Sequence, residues 1–257
     1  MIRGTQARPI GSIDRLLIAV PARDEEASID DCVHSIVEAC DATGLPFHVH
    51  VAADSCTDGT VAKLEGLRNV HDELRVALGD WGNAGAARRA AVDSFLGTER
   101  SCRWSPSSTW LANTDADCIV PRDWITSQLR YASWCDGVAG IIDLDRDQVS
   151  PLVYRRFVAT YQKDGDTHPH VHGANLGVRL SAYLAAGGWS NELEVGEDHR
   201  LWRDLHRSGS ILWPSTQVRV VTSARTHGRV EGGFATNIRT LERGGTVPAP
   251  AERAIAR

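Results

Sequence analysis

The stretch Trp110-Leu111-Ala112-Asn113-Thr114-Asp115-Ala116-Asp117 places two carboxylates two residues apart, directly after a short apolar run. Such a run predicts a buried strand of a parallel sheet. Ligands of open α/β sheets collect at the carboxyl ends of the strands, where Asp115 and Asp117 would then lie. Two carboxylates so placed suit a hard divalent cation that also binds substrate phosphates. On its own the pattern is more typical of a solvated turn, so a metal site can be inferred only with support from other motifs of the chain.

In the first half of the chain, short apolar runs alternate with segments whose apolar residues recur at helical spacing. We predict strands over residues 16–20, 47–53, 74–78, 110–113 and 138–144. Between them, helices are predicted from a cap at Ser28 or Asp30 and over residues 60–67, 84–96 and 121–131. Repetition of strand and helix favours right-handed βαβ units and a mostly parallel sheet.

The second half of the chain is less regular. Helices are predicted over residues 150–161, 182–186 and 198–208, and strands over 173–180 and 218–222. Residues 1–13 are polar and predict a flexible arm. Residues 244–257 are rich in Pro, Ala and Gly and predict a disordered tail.

Composition narrows the classes of function. The 257 residues carry a net charge of −5, which argues against a nucleic-acid partner because such proteins usually have a basic excess. No apolar run approaches the roughly 18–20 residues of a membrane helix, so no integral membrane segment is expected. No signal-peptide core follows Met1, which predicts a cytoplasmic protein. None of the six cysteines falls in a CxxC pair, so we expect reduced thiols and no zinc site.

Six motifs extend the pattern around Asp115 and Asp117. In chain order they are residues 20–26 (VPARDEE), 53–60 (ADSCTDGT), 82–90 (GNAGAARRA), 113–117 (NTDAD), 172–179 (HGANLGVR) with 187–189 (GGW), and 196–201 (GEDHRL). In order and spacing, from about residue 15 to 235, they resemble glycosyltransferase family 2. One departure is Ala53, which stands where the family often has the first of two aspartates.

The resemblance implies the GT-A fold: α/β, with a Rossmann-like, mostly parallel sheet flanked by helices and a less regular acceptor-binding half. Residues 14–243 would form a single domain, with a nucleotide half at about 14–145 and an acceptor half at about 146–243. The implied reaction moves a hexose from a nucleotide diphosphate sugar, with UDP favoured as carrier, to an acceptor hydroxyl. The sequence does not identify the acceptor.

The resemblance also implies a donor site. Glu25 would lie near the ribose and Asp54 would accept a hydrogen bond from the base, although Asp54 is also a typical turn former. Gly85 would allow close approach of the backbone. Arg88 would meet a phosphate, with a plain surface arginine as the alternative. The full predicted set is Pro21, Ala22, Arg23, Glu25, Asp54, Gly85, Arg88, Asp115 and Arg229.

The implied metal is Mg²⁺ or Mn²⁺. Asp117 would be its direct ligand, Asp115 would contact the ribose or a metal-bound water, and His227 would complete the site. Arg225 and Arg229 flank His227, and their guanidinium groups suit diphosphate oxygens. The alternative for this segment is a basic surface loop.

Catalysis is predicted to depend on Asp198 as general base, with Glu197 orienting it or holding the acceptor hydroxyl. The reaction would then invert the anomeric carbon. Acids in the first turn of a helix also stabilise its dipole, which is the plainer explanation of this pair.

Other residues bear on the acceptor. The run His168, His170, His172 is predicted to line the acceptor loop or face solvent, a second metal site being the alternative. Trp189 is a candidate for stacking on a sugar or an apolar acceptor, and Trp81 for the border of the donor pocket.

Three alternatives to this function stay open. A retaining GT-A enzyme would differ in the anomeric configuration of its product. A sugar-phosphate nucleotidyltransferase would release pyrophosphate, but the glycine-rich Thr-Arg loop expected after the first strand is missing. A non-catalytic nucleotide-sugar-binding protein would bind without turnover.

Overall fold

One mixed sheet organises the computed structural model, which describes residues 11–161, 164–225 and 234–245. Its strands are β1 (Arg15–Ala22), β2 (Phe47–Asp54), β3 (Leu74–Gly79), β4 (Thr109–Asn113), β5 (Cys118–Ile119), β6 (Gly137–Leu144), β7 (Leu176–Arg179) and β8 (Leu212–Thr222). The helices are α1 (Ile29–Asp41), α2 (Thr60–Arg68), α3 (Ala84–Leu96), α4 (Trp124–Ala132), α5 (Pro151–Thr160), α6 (Leu180–Ala185), α7 (Glu197–Arg207) and α8 (Phe234–Glu242).

The strand order is β3-β2-β1-β4-β7-β6-β8-β5. β1 is parallel to β2 and β4, and β2 is parallel to β3, which confirms the predicted parallel strands of the first half of the chain. The chain moves outward from β1 to β3 and then returns to place β4 on the other side of β1. A crevice forms where the order reverses in this way, between the carboxyl ends of β1 and β4.

The second half adds strands of both directions. β7 is antiparallel to β4 and β6, β8 is parallel to β6, and the short β5 pairs antiparallel with β8. The mixed α/β architecture with a mostly parallel sheet is therefore confirmed. Among the described helices, none combines the length and hydropathy that crossing a bilayer requires.

Two apolar cores lie on the two faces of the sheet. Residues 16–20 of β1 are fully buried; Leu16, Ile18 and Val20 pack in one core, while Leu17 and Ala19 pack in the other. Side chains of a strand alternate between the two faces of the sheet. A strand that is buried on both faces therefore appears in the sequence as an unbroken apolar run. This is the physical reason that β1 is recognisable in the sequence.

Helix α3 begins and ends where the sequence predicts, because Asn83 caps it: its Oδ1 accepts a hydrogen bond from Ala86 N at 2.8 Å. The predicted start of α4 at Pro121 is wrong. Residues 121–123 form a turn, in which Trp124 N donates to Pro121 O at 2.8 Å, and the helix begins at the buried Trp124. The turn is needed because the preceding residues are already paired as β5.

The predicted strand over residues 173–180 is also wrong at both ends. Gly173–Asn175 is a 3₁₀ turn, closed by Asn175 N donating to His172 O at 3.0 Å, and α6 already begins at Leu180. Three features were not predicted: β5, α8 and the first half of β8. Pro214 lies inside β8, where a proline normally argues against a strand because it lacks an N–H donor.

Asn175 ties the irregular half together. Its Nδ2 donates to Ile141 O at 2.8 Å and to Val218 O at 3.1 Å, and its Oδ1 accepts from Trp124 Nε1 at 2.9 Å. The pairing of β6 with β8 shifts register between Gly140 and Ile141, next to these bonds. The fully buried amide thus joins two strands and α4 where the ladder is interrupted.

We expect Asn175→Leu to lower the free energy of unfolding by about 3 kcal/mol or more, since it strands a buried indole N–H and two carbonyl oxygens without partners. Urea denaturation followed by tryptophan fluorescence measures this. Asn69→Leu, at an exposed position after α2, is the matched control and should change stability by less than about 0.5 kcal/mol. Equal stability of the two variants would show that these bonds contribute nothing.

Candidate active site

A cavity of about 520 Å³ opens at the carboxyl ends of β1, β2 and β4, beneath the start of α7. Its lining includes most of the residues predicted to bind donor or metal or to catalyse: Pro21, Ala22, Arg23, Glu25, Asp54, Arg88, Asp115, Asp117, Glu197 and Asp198. Gly85 is not part of this lining. His227 and Arg229 lie outside the described residues.

Two of the three acids after β1 tie that loop to the loop after β2. Asp24 has a left-handed backbone, φ 50°, and its Oδ1 accepts a hydrogen bond from Thr57 N at 2.6 Å. Glu26 Oε2 accepts from Gly59 N at 3.0 Å. Of the three acids, Glu25 is the one that lines the cavity.

Arg225 joins Glu25 to Asp117. Its Nη1 lies 2.8 Å from both carboxylate oxygens of Glu25, and its Nη2 lies 3.0 Å from Asp117 Oδ2. Burial opposes the charge of Arg225, but Asp117 and Glu25 outweigh it and raise the pKa of the guanidinium. The cation therefore stays charged and links the loop after β1 to the acidic pair after β4.

Asp54 accepts hydrogen bonds from the backbone and also lines the cavity. Its Oδ1 accepts from Trp81 N at 2.6 Å and Gly82 N at 3.2 Å, which fixes the turn that leads into α3. Its Oδ2 lies 3.9 Å from Arg23 Nη1. The turn-forming role is thus present, and the second oxygen is placed to face a ligand.

Arg88 is the central cation of the site, and the alternative of a surface arginine is wrong because its side chain is only 3% exposed. It forms an ion pair with Asp115 through Nη2 and with Glu197 through Nη1 at 2.7 Å. Its guanidinium lies 5.0 Å from the ring centre of Trp189. Burial opposes its charge, but Asp115 and Glu197 outweigh it and raise its pKa.

Two glycines let the backbone close around this cation. A Cβ on Gly173 would lie 2.7 Å from Arg88 Cζ, so the guanidinium packs directly against that glycine. A Cβ on Gly85 would lie 2.5 Å from Ser190 O and 3.0 Å from Glu197 Cβ. Gly85 therefore permits a close approach of α3 to the start of α7, rather than lying in the cavity itself.

Asp198 and Glu197 occupy the first turn of α7, as predicted. Asp198 Oδ2 accepts from Gly173 N at 3.2 Å, and its Oδ1 accepts from His199 N at 2.7 Å. Glu197 is held by Arg88, whereas none of the ion pairs among the described residues includes Asp198. Burial, together with the Glu197 carboxylate, raises the pKa of Asp198 and so makes it a stronger base.

The prediction that Trp189 stacks on a sugar is wrong. Its side chain is fully buried in the core beneath α3, and its Nε1 donates to Asn113 Oδ1 at 3.1 Å. Trp81 also packs against that core, and neither indole lines the cavity. The Gly-Gly-Trp motif therefore anchors the loop before α7 instead of binding substrate.

The three histidines of the run differ in their relation to the cavity. His170 and His172 line the cavity with stacked rings, their centres 5.8 Å apart, and His168 is buried beside them. Among the described residues, no cluster of three histidine, cysteine or acidic side chains is arranged to hold a metal ion, so the alternative of a second metal site gains no support.

The sequence model of Glycosyl transferase family 2 matches residues 17–184, about two thirds of the chain. The chain belongs to this family. It is accordingly a glycosyltransferase, as its motifs predict. No curated protein sequence matches it significantly.

Solved structures share the fold at low sequence identity. The chain is similar to TarS of S. aureus (residues 1–349; TM-score 0.60, 13% identity), covering 89% of this chain and 70% of that one. It is similar to the mannosyltransferase PcManGT of Pyrobaculum calidifontis, in complex with GDP-Man and Mn²⁺ (0.57, 19%; 87% and 60%). It is also similar to GalNAc-T7 with UDP, GalNAc and Mn²⁺ (0.60, 13%; 90% and 48%).

Several residues of the cavity were not predicted. Tyr161, Phe157 and Ile142 line it, and α8 contributes Phe234 and Leu241. No local motif marks them, because they are ordinary core-type residues of separate elements. The one signal was the position of the histidine run beside them.

We expect Arg88→Met to lower the free energy of unfolding by about 3–5 kcal/mol, because it leaves the partly buried Asp115 and Glu197 without their counter-ion. Urea denaturation at pH 7 measures the loss. Arg68→Met on α2, whose arginine forms an exposed pair with Glu65, is the control and should lose at most about 1 kcal/mol. A similar small loss for Arg88→Met would show that the buried ion pairs are energetically neutral.

Proposed function

We propose that this glycosyltransferase moves a sugar from a nucleotide diphosphate sugar, with UDP as the favoured carrier, to an acceptor hydroxyl with inversion. The observation that carries the proposal is the meeting of two sets of carboxylates in one cavity. Asp115 and Asp117 reach it from the end of β4, and Asp198 reaches it from α7 on the other side of Arg88. The first set suits a donor diphosphate with its metal, and the second suits an acceptor hydroxyl.

The donor would occupy the crevice between β1 and β4. Pro21, Ala22 and Arg23 continue β1 into the cavity, and Asp54 presents its Oδ2 from the end of β2. Relatives of the same fold bind nucleotide sugars: TarS has been solved with UDP-GlcNAc and PcManGT with GDP-Man. Both a uridine and a guanosine carrier therefore occur on this fold, and UDP is the carrier that the family resemblance favours.

The residues at the end of β4 fit a divalent metal. Asp115 and Asp117 supply hard oxygen ligands, and Mg²⁺ is commonly held by one or two carboxylates together with substrate phosphates. The described residues offer no third protein ligand here, which leaves the diphosphate, and His227 outside the described residues, to complete the set. The metal would neutralise charge that develops on the departing diphosphate.

Asp198 would take the proton of the acceptor hydroxyl. The hydroxyl oxygen forms a bond to the anomeric carbon, the bond from that carbon to the diphosphate oxygen breaks, and the proton passes to the Asp198 carboxylate. Gly173 N orients the carboxylate, and Arg88 engages Glu197 so that the neighbouring acid does not compete. Such a base typically contributes a factor of about 10²–10⁴ in rate.

We expect UDP to bind in the presence of Mn²⁺ and to bind at least about tenfold more weakly either without the metal or to Asp117→Asn. Isothermal titration calorimetry of UDP and GDP, each with and without Mn²⁺, measures this. Asp72→Asn, which removes an exposed carboxylate before β3, is the matched control and should keep wild-type affinity. Preference for GDP would change the carrier and keep the site. No metal-dependent binding of either nucleotide would contradict the donor site.

We expect Asp198→Asn to bind UDP within about threefold of wild type and to lose about 10²–10⁴-fold in UDP release from UDP-sugars across an acceptor panel. In the wild type, kcat/KM should fall on acidification at a pH above the ordinary pKa of an aspartate. Burial and Glu197 raise the pKa of Asp198, and they outweigh the opposing charges of His199 and Arg88. Unchanged turnover in the variant would remove Asp198 from the role of base.

The anomeric configuration of the product, read by proton NMR, tests inversion separately. Retention would support the alternative of a retaining enzyme on the same fold. Tight, metal-dependent UDP binding with no turnover across the panel would favour the non-catalytic alternative.

A further inference from the structure

The cavity continues past Asp198 into a region of different chemistry, which we call the aromatic end. It is lined by Ile142, Phe157, Thr160, Tyr161, His170, Val171, His172, Phe234, Ala235, Asn237 and Leu241. A continuous set of contacts connects it to the base: Asp198 accepts from Gly173 N, and the preceding His172 lies 3.1 Å through its Nε2 from the Tyr161 hydroxyl.

Aromatic rings shape this end. The ring centres of Tyr161 and His170 lie 4.4 Å apart, and Phe157 contacts Tyr161 edge to face at 5.3 Å and Phe234 at 5.9 Å. Aromatic rings prefer such offset and edge-to-face partners, so a further flat ring is the natural occupant. Helix α8 contributes Phe234 and Leu241 and packs against α5, with Arg156 Nη1 donating to Leu241 O at 2.8 Å.

The two hydroxyl groups of this end, on Tyr161 and Thr160, already have partners. The Tyr161 hydroxyl accepts from Ile142 N at 3.2 Å and pairs with His172, and Thr160 Oγ1 donates to Phe157 O at 2.7 Å. A sugar acceptor would bring several hydroxyls that need partners of their own, and unpaired buried polar groups are costly. Among the described residues that line this end, His170 is 7% exposed and its Nε2 is a buried nitrogen without a hydrogen-bond partner.

The charges of the side chains at the aromatic end also favour an uncharged acceptor. Within the described residues, the arginines that line the cavity are Arg23, Arg88 and Arg225, and each lies beside a carboxylate at the carboxyl end of β1, β2 or β4. Burial lowers the pKa of His170 to about 4, and the neighbouring His168 and His199 add to the shift, so His170 is neutral at pH 7. Among the described residues that line the aromatic end, a phosphate or carboxylate on the acceptor would therefore find no cationic partner.

From this geometry we infer that the aromatic end is the acceptor subsite for an uncharged compound with an apolar, flat ring, a phenol or aromatic alcohol. Its hydroxyl would point to Asp198, and a second polar group on it would bond His170 Nε2. This inference rests on the proposed function for the role of acceptor, but binding of the ring depends on the aromatic end alone.

The probe is 2-naphthol, compared with methyl β-glucoside as a neutral sugar and 2-naphthyl phosphate as an anion, by saturation-transfer NMR and calorimetry at pH 7. All three are titrated into the full chain with and without UDP and Mn²⁺. We expect 2-naphthol to bind more tightly than either comparison compound. Ala235→Trp, which places an indole in the aromatic end, should weaken 2-naphthol binding about tenfold or more.

Glu242→Trp, at an exposed position on the same helix, is the matched control and should bind 2-naphthol as the wild type does. His170→Phe keeps a ring and removes the unpaired nitrogen. It should bind 2-naphthol with little change but bind 2,7-dihydroxynaphthalene about 3–10-fold more weakly than the wild type does. Retained UDP binding by each variant shows that it is folded.

Equal or tighter binding of the sugar or the phosphate, or unchanged 2-naphthol affinity in Ala235→Trp, would overturn the inference. UDP binding without 2-naphthol binding overturns the inference and leaves the proposed function in place. Binding of 2-naphthol without metal-dependent UDP binding would support the ring subsite and contradict the donor site of the proposed function.

Discussion

The ion pairs of Arg88 are the constraint on which the active site depends. One buried guanidinium holds Asp115, which follows β4, and Glu197, which begins α7, and it packs against Gly173 and over Trp189. Acids gathered at one cavity repel one another and lose hydration on burial, so they need a fixed counter-charge. Arg88 supplies it from α3, and it thereby links the residues after β4 to the start of α7.

A second arginine repeats this arrangement at the ends of β1 and β4. Arg225, which is 200 residues from Glu25 in the chain, joins Glu25 to Asp117, much as Arg88 joins Asp115 to Glu197. Each aspartate after β4 therefore has its own cation, while Asp198 has none among the described ion pairs. The three aspartates therefore differ in environment: two form ion pairs with arginines, whereas burial and the Glu197 carboxylate raise the pKa of Asp198.

The cavity changes in character along its length. The end formed by the carboxyl ends of β1, β2 and β4 is charged, whereas the aromatic end is built from ordinary core side chains of α5, α8 and β6. A nucleotide diphosphate and an uncharged ring differ so much in charge that they would bind at different ends of such a cavity. Asp198 and Gly173 lie where the two meet, which is where the proposed transfer would bring an acceptor hydroxyl to the anomeric carbon.

The sequence by itself determined the strands β1 to β4, the helices α1 to α3 and most of the residues that line the cavity at the ends of these strands, because buried parallel strands and the loops that follow them have local signatures. Only the tertiary structure decided that Trp189 is core, that Arg88 is buried and paired, that Asn175 replaces missing ladder bonds, and that α8 closes the aromatic end. The physical reason is that burial and pairing of these residues depend on partners distant in sequence. A local pattern records a residue's own type and spacing, but not what packs against it.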